Sequence, residues 1–319
     1  MKLIYNILLL FISNIIYCQN SNLNGRVAID HGYKTIIYNQ NDTLEFQLKH
    51  SNNYDISISS WLNKSDYFIA NQEFYINNSF AYNKIILLDK KGNIFDSILT
   101  TPKKNPISSN VYADRQDSLI VFASRSAQKD IRDNYMMNLN FLRLSDKRIV
   151  KQITNLATSL TFELYDSPWS NDNQSIVFRA GHVYDMKPKE QLKIREKGIY
   201  IHSIINNSFC KISSLGRHCI WSPDGNYIVY EYKGRIFKYN VKTKKTSLIY
   251  SLKRKYILHN INWSPDSKNC IIKQAELKYS LILLSHWAKC SFLLLDTETK
   301  EILKINNLKN GYQKIFWKE

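Results

Sequence analysis

The chain has 319 residues, 44% of them hydrophobic and 22% charged, and 44 Lys and Arg outweigh 27 Asp and Glu to give a formal net charge of +17. An apolar share of that size excludes global disorder, and the 21 tyrosines against only nine glycines favour strands. The positive charge invites a polyanion partner, but the Lys and Arg are spread along the chain without a basic tail, so no nucleic-acid partner is expected.

Taken in chain order, Met1-Lys2 opens a basic start, residues 3–16 are largely apolar around Leu8-Leu9-Leu10, and Tyr17-Cys18-Gln19-Asn20 returns to polar sequence. That is the pattern of a secretory signal peptide, so residues 1–18 are read as a cleaved leader and the product as exported, periplasmic or extracellular. Residues 19–319 are read as one domain. Short strands are predicted over 26–30, 34–38 and 43–48. Trp61 then ends a strand before a polar turn and Tyr67-Phe68-Ile69-Ala70, and Tyr112 stands similarly before Leu119-Ile120-Val121-Phe122.

The phrase behind these two becomes plain further on. Trp221-Ser222-Pro223-Asp224 and Trp263-Ser264-Pro265-Asp266 are the same four letters, and Trp169-Ser170-Asn171-Asp172 is a third, altered copy. Each precedes a short apolar strand. Pro presets the turn, Asp bonds its backbone, and Gly or Ser follows. Third and fourth strands come next, as at 235–239 and 246–250, so each unit is four antiparallel strands. Units start near 61, 112, 169, 221, 263 and 317. The last holds only Ile315-Phe316-Trp317, and residues 24–60 supply its remaining strands. The expectation is an all-β, six-bladed β-propeller closed by pairing the C-terminal strand with the N-terminal blade, which removes exposed sheet edges.

The repeat resembles that of the TolB-like six-bladed propellers, whose units carry W-S-P-D-G followed by an I-A-F/Y strand. The resemblance is carried by 221–250 and 263–305, and more weakly by 169–178. It implies a periplasmic or surface binding scaffold of bacterial, WD40-like repeat type that engages another protein. The α/β domain that TolB itself carries has no room here.

No G-x-S-x-G elbow, H-E-x-x-H pair or Gly-rich phosphate loop is present, and the seven histidines show no metal-ligand spacing. No catalytic residue, metal or cofactor is assigned. Trp61, Trp169, Trp221, Trp263 and Trp317 read as blade packing, and Pro223, Asp224, Pro265 and Asp266 as turn formers, with Asp172 alike. Candidate binding residues lie instead where the second-to-third connection outgrows the template: Arg125, Lys129 and Arg132 within 124–138, Lys187, Lys189, Lys193 and Arg195 within 181–198, and His286-Trp287 within 274–289. Such extensions gather on one face of a propeller, and loops on a rigid scaffold carry binding. The favoured reading is a non-enzymatic, monomeric propeller binding an envelope or extracellular protein, peptide or glycan. The alternative is a lyase- or hydrolase-type propeller enzyme acting on a polysaccharide at the axial pocket. Cys210, Cys219, Cys270 and Cys290 are expected as buried thiols, with Cys210–Cys219 the pair best placed for a disulfide.

Overall fold

The computed structural model describes residues 27–30, 34–38, 44–49 and 54–305, except 63, 66, 78, 90, 109, 130–134, 163–166, 182–192, 195, 265 and 277–289. The described residues hold no helix, and their strands form six antiparallel sheets in chain order. Blade A is the three-stranded sheet β1 (Val27–Asp30), β2 (Lys34–Tyr38) and β3 (Leu44–Lys49). Blade B is β4 (Tyr54–Trp61), β5 (Phe68–Ile76), β6 (Ser79–Leu88) and β7 (Ile94–Pro102). Blade C is β8 (Tyr112–Ala113), β9 (Leu119–Lys129), β10 (Tyr135–Arg143) and β11 (Arg148–Ala157). Blade D is β12 (Ser159–Thr161), β13 (Ser175–Gly181), β14 (Gly198–Ser203) and β15 (Ser208–Ser213). Blade E is β16 (Arg217–Trp221), β17 (Tyr227–Tyr232), β18 (Arg235–Asn240) and β19 (Thr246–Ser251). Blade F is β20 (Tyr256–Trp263), β21 (Asn269–Glu276), β22 (Cys290–Asp296) and β23 (Ile302–Ile305).

This is the six-bladed propeller that the repeat predicts. First strands of successive blades touch, β4 with β8 and β16 with β20, which sets them at the axis. Fourth strands such as β7 and β19 are largely exposed at the rim. Blade A has three strands among the described residues. The segment expected to supply a fourth, around Phe316 and Trp317, lies outside the described residues, as does the leader 1–18.

One hydrogen bond marks the repeat in five blades. The residue opening each first turn donates its N–H to the carbonyl five residues on: Leu62 to Tyr67, Asp114 to Leu119, Ser170 to Ser175, Ser222 to Tyr227 and Ser264 to Asn269, at 2.8–3.0 Å. The Ser hydroxyl completes the turn, accepting from the N–H of Ser175, Tyr227 and Asn269. Asp172, Asp224 and Asp266 accept from the backbone N–H two residues ahead, each at 3.0 Å. By this register Ala113, not Tyr112, occupies the position of Trp221; Tyr112 stands one residue too early.

These turns also join the blades. The residue three beyond the opening one adopts a left-handed backbone, φ 54–76°, and is Asp117, Asn173, Gly225 or Ser267. Glycine is the cheapest residue there, yet three blades use a polar side chain and put it to work. Asp117 accepts from Lys64 N–H of blade B, Asn173 from Arg115 N–H of blade C, and Ser267 from Asp224 N–H of blade E. Each is a staple from one blade to the one before it. Gly225 has no side chain to offer.

The core lies between sheets. Trp169, Trp221 and Trp263 are all buried. Trp169 packs with Phe141 and Phe178 in a cluster spanning blades C and D, Trp221 with Val177 and Ile199 across D and E, and Trp263 with Ile220 and Ile236 across E and F. Cys210, Cys219 and Cys270 are thiols, as expected, and Cys210 and Cys219 are not paired; the correction is that Cys210 is exposed rather than buried. Cys210 sits on the rim strand β15 and is exposed, while Cys219 sits on the axial strand β16 and is buried.

Candidate functional site

In this plan the second-to-third hairpins and the links between blades share one face. A cavity of about 590 Å³ opens there at the junction of blades D, E and F. Its walls come from Arg179 on β13, Lys197 before β14, the link Leu215-Gly216-Arg217, the hairpin turn Glu231–Gly234, and the link 252–258 into β20. Among the described residues, six cationic side chains (Arg179, Lys197, Arg217, Lys233, Lys253 and Arg254) and one carboxylate, Glu231, line it.

Local sequence explains each wall. Lys233 and Gly234 both have positive φ, 50° and 74°, which makes a two-residue hairpin that leaves blade E low at this face. Gly216 has φ 148°, and a Cβ there would stand 2.8 Å from Ile199 Cδ1 and 3.1 Å from the Glu231 carbonyl. Only glycine lets the D–E link pass this close to β17, and the passage sets Arg217 opposite Glu231 in the β16–β17 ladder.

Glu231 is the fixed point. Its side chain is 3% exposed, Oε2 accepts from Arg217 Nε at 2.6 Å, and Oε1 accepts from Gly234 N–H at 2.5 Å. Burying a carboxylate is costly without such partners, and here both oxygens have one. Arg217 is 48% exposed and is held by its Nε, so its terminal nitrogens remain for the cavity. A guanidinium fixed in this way is pre-set for two-point contact with an oxyanion. Among the described residues no three of His, Cys, Asp and Glu stand together as a metal site.

The residues expected to form the mouth are distributed differently. Residues 124–138 are mostly strand rather than loop: β9 runs on to Lys129 and β10 begins at Tyr135. The polar residues that suggest a loop there are buried and paired, with Asn140 Nδ2 donating to Ser124 Oγ and Asn138 Oδ1 accepting from Asn155 N–H. Arg125 is exposed on this hairpin with its guanidinium 5.5 Å from the Tyr135 ring. Lys129 lies at the end of β9. Lys193 is exposed, and its N–H reaches the Asn155 carbonyl at 3.3 Å. Arg125 and Lys193 do not line the cavity. Arg132, Lys187, Lys189, Arg195, Pro265, His286 and Trp287 lie outside the described residues.

Across the ring from blade E, blade B raises a longer hairpin on the same face. Tyr54, Phe74 and Tyr82 form a half-buried ladder, Phe74 and Tyr82 stacked at 4.4 Å, with Lys84 Nζ 5.2 Å from the Phe74 ring. On the hairpin's flank Tyr75 donates its hydroxyl to Glu73, and that bond, ahead of burial, holds the phenol up at about 12.

No protein-family model matches the chain, and no curated protein matches it. Solved structures match its fold. An oligogalacturonate lyase in complex with manganese aligns at TM-score 0.59 and 11% identity over 85% of this chain and 70% of that one. An oligogalacturonate lyase from Vibrio parahaemolyticus aligns at 0.55 and 13% over the same shares. A TolB protein from Agrobacterium tumefaciens aligns at 0.53 and 14% over 92% of both chains. At these identities the likeness is one of fold.

Proposed function

We propose that this chain is an exported binding propeller of TolB-like repeat type that engages an acidic protein, peptide or glycan at the D–E–F cavity. One observation carries the reading: among the described residues, six cations and one neutralising carboxylate line a single concave site, on the face where the hairpins and links meet. Clefts lined by one sign of charge focus the field and raise the local concentration of opposite charge. The cavity's size falls within the roughly 300–1,000 Å³ of ordinary ligand sites. The secretory start of the sequence and the TolB-like turn phrase support export and a scaffold role.

The test is charge reversal at the rim. Acidic and neutral glycans and peptides are presented on an array to the full chain and to Lys233→Glu/Lys253→Glu. Acidic members should be retained at low salt, lost with rising salt, and weakened tenfold or more by the double substitution. Equal retention by both proteins would overturn the reading.

A polysaccharide-cleaving enzyme is the second reading, because Glu231, Tyr232 and Tyr256 line the same cavity. Against it, both Glu231 oxygens already accept hydrogen bonds from the chain itself. New chain ends released from an acidic polysaccharide, and lost in Glu231→Gln, would move the assignment to that reading.

A further inference from the structure

We infer that the cavity is a receptor for a compact ligand bearing two or more oxyanion groups, with Arg217 as the anchoring contact and Glu231 as the residue that positions it. This rests on the cavity being the binding site, and adds what it recognises and by which atoms. The Lys and Arg of a solvated surface would spread apart to lower their repulsion. Here six of them line one space, and the close passage of Gly216 and the tight Lys233-Gly234 turn bring Arg217 and Lys233 to its wall.

The two classes of cation do different things. Lys233, Lys253 and Arg254 belong to exposed turns and links and supply charge without fixed direction. Lys233 rests over the Tyr232 ring at 5.3 Å. Arg217 is fixed instead: a guanidinium gripped at Nε by a buried carboxylate cannot swing away, so its two outer nitrogens offer a pair of parallel donors. Carboxylate, phosphate and sulfate all present two oxygens at a matching spacing. A single oxyanion on Arg217 would leave the remaining cations unanswered, and so a second anionic group on the ligand is called for. Glu231 also accepts from Gly234 N–H, which ties the shape of the turn to the aim of the arginine.

The experiment is calorimetric titration of the full chain, at low ionic strength, with citrate, inorganic pyrophosphate and acetate. Citrate or pyrophosphate should bind and acetate should not; the stronger of the two tells whether carboxylate or phosphate is preferred. Arg217→Ala should weaken the bound anion tenfold or more, and Arg217→Lys, which keeps the charge and loses the fork, should weaken it severalfold. Glu231→Gln is decisive for positioning. It removes a negative charge from the cavity, so attraction by charge alone predicts tighter binding, whereas loss of the grip on Arg217 predicts weaker binding. Tighter binding in Glu231→Gln, with an unchanged thermal transition and circular dichroism spectrum, would overturn the positioning role. No binding of citrate or pyrophosphate to the wild-type chain, or unchanged binding in Arg217→Ala, would overturn the site. If these fail while the array still shows retention sensitive to Lys233→Glu/Lys253→Glu, the cavity reading stands and only the oxyanion assignment falls.

Discussion

The seams between blades C and D and between blades D and E are built from the same repeat and held together by different means. At C–D the contacts include directed polar bonds: Trp169 Nε1 donates to the Tyr112 carbonyl at 3.2 Å, Arg115 N–H to Asn173 at 2.9 Å, and Lys151 Nζ to the Ile204 carbonyl at 3.2 Å. At D–E the described packing is apolar, Val177 and Ile199 against Cys219, Trp221 and Ile228. The left-handed turn residue is Gly225, and the Trp221 indole N–H is buried without a hydrogen-bond partner among the described residues. The cavity opens at the far face of this second seam. Apolar contact is non-directional, so a seam held by it tolerates small shifts that a stapled one resists. Of these two seams, the cationic site thus sits beside the one without a side-chain staple.

Acid should reveal the largest difference. His202 of blade D is fully buried against Phe141 of blade C and stacked on Phe209 at 4.6 Å. Its Nδ1 lies 3.1 Å from the Ser208 carbonyl, and its Nε2 is buried without a partner among the described residues. Burial, and then the Lys151 charge, push its imidazole from 6.5 down to about 4. In that window the unfolded chain takes up a proton that the folded chain refuses. Stability is therefore fully present above 6.5 and falls as the pH drops toward 4, by about 2–3 kcal/mol from this group. Urea titrations at pH 7 and pH 4.5 measure the loss, and His202→Phe should remove much of it. A pH dependence unchanged in His202→Phe would show that the C–D seam is not the acid-sensitive one.

Next in size is a paired substitution of the two tryptophans. Trp169→Phe and Trp221→Phe shrink a buried ring alike, but only the first breaks a hydrogen bond seen in the structure. A buried group left unsatisfied costs about 1–3 kcal/mol. Trp169→Phe should therefore lose about 2 kcal/mol and Trp221→Phe less than about 1 kcal/mol, read from denaturant midpoints. Equal losses would mean that the polar bond adds nothing to the C–D seam.

The turn phrase is legible because four letters at Trp221 and Trp263 carry both the turn chemistry and the strand that follows, and the five four-stranded blades B to F come from it directly. Two copies are harder to place. Leu62 and Asp114 make the same backbone bond as Ser222 with different side chains, so in the sequence Tyr112 reads as the blade tryptophan whose place Ala113 in fact takes. The cavity is not legible at all. Long connections point to 124–138 and 181–198, whereas the cavity forms beside a two-residue turn, Lys233-Gly234. Its parts, Gly216, Arg217, Glu231 and the link 252–258, come from blade E and the links on either side of it, apart in the sequence, and none is unusual alone. The clues that exist are a glycine before an arginine at the entry to blade E and a glutamate one residue from the end of a largely apolar second strand.

The smallest expected effect is the sharpest test of the comparison. If the D–E seam lacks a staple only because Gly225 lacks a side chain, Gly225→Asn should supply one, since Asn tolerates a left-handed backbone and its amide oxygen would face the Asn171-Asp172 backbone as Asn173 faces Arg115. The new Cβ would stand 3.1 Å from Asn171 Cβ, which must give a few tenths of an ångström, and Asn171 is on an exposed turn that can move. A gained hydrogen bond and the lower freedom of the unfolded chain each favour the variant by about 0.5–1 kcal/mol. After the crowding is deducted, a net gain of about 0.5–1 kcal/mol is expected. The reverse change, Asn173→Gly at the C–D seam, should lose a similar amount. A loss in Gly225→Asn would mean that close approach of the turns, and not a missing side chain, sets this seam, and a gain accompanied by weaker citrate binding would tie the looseness of the seam to the cavity at its other end.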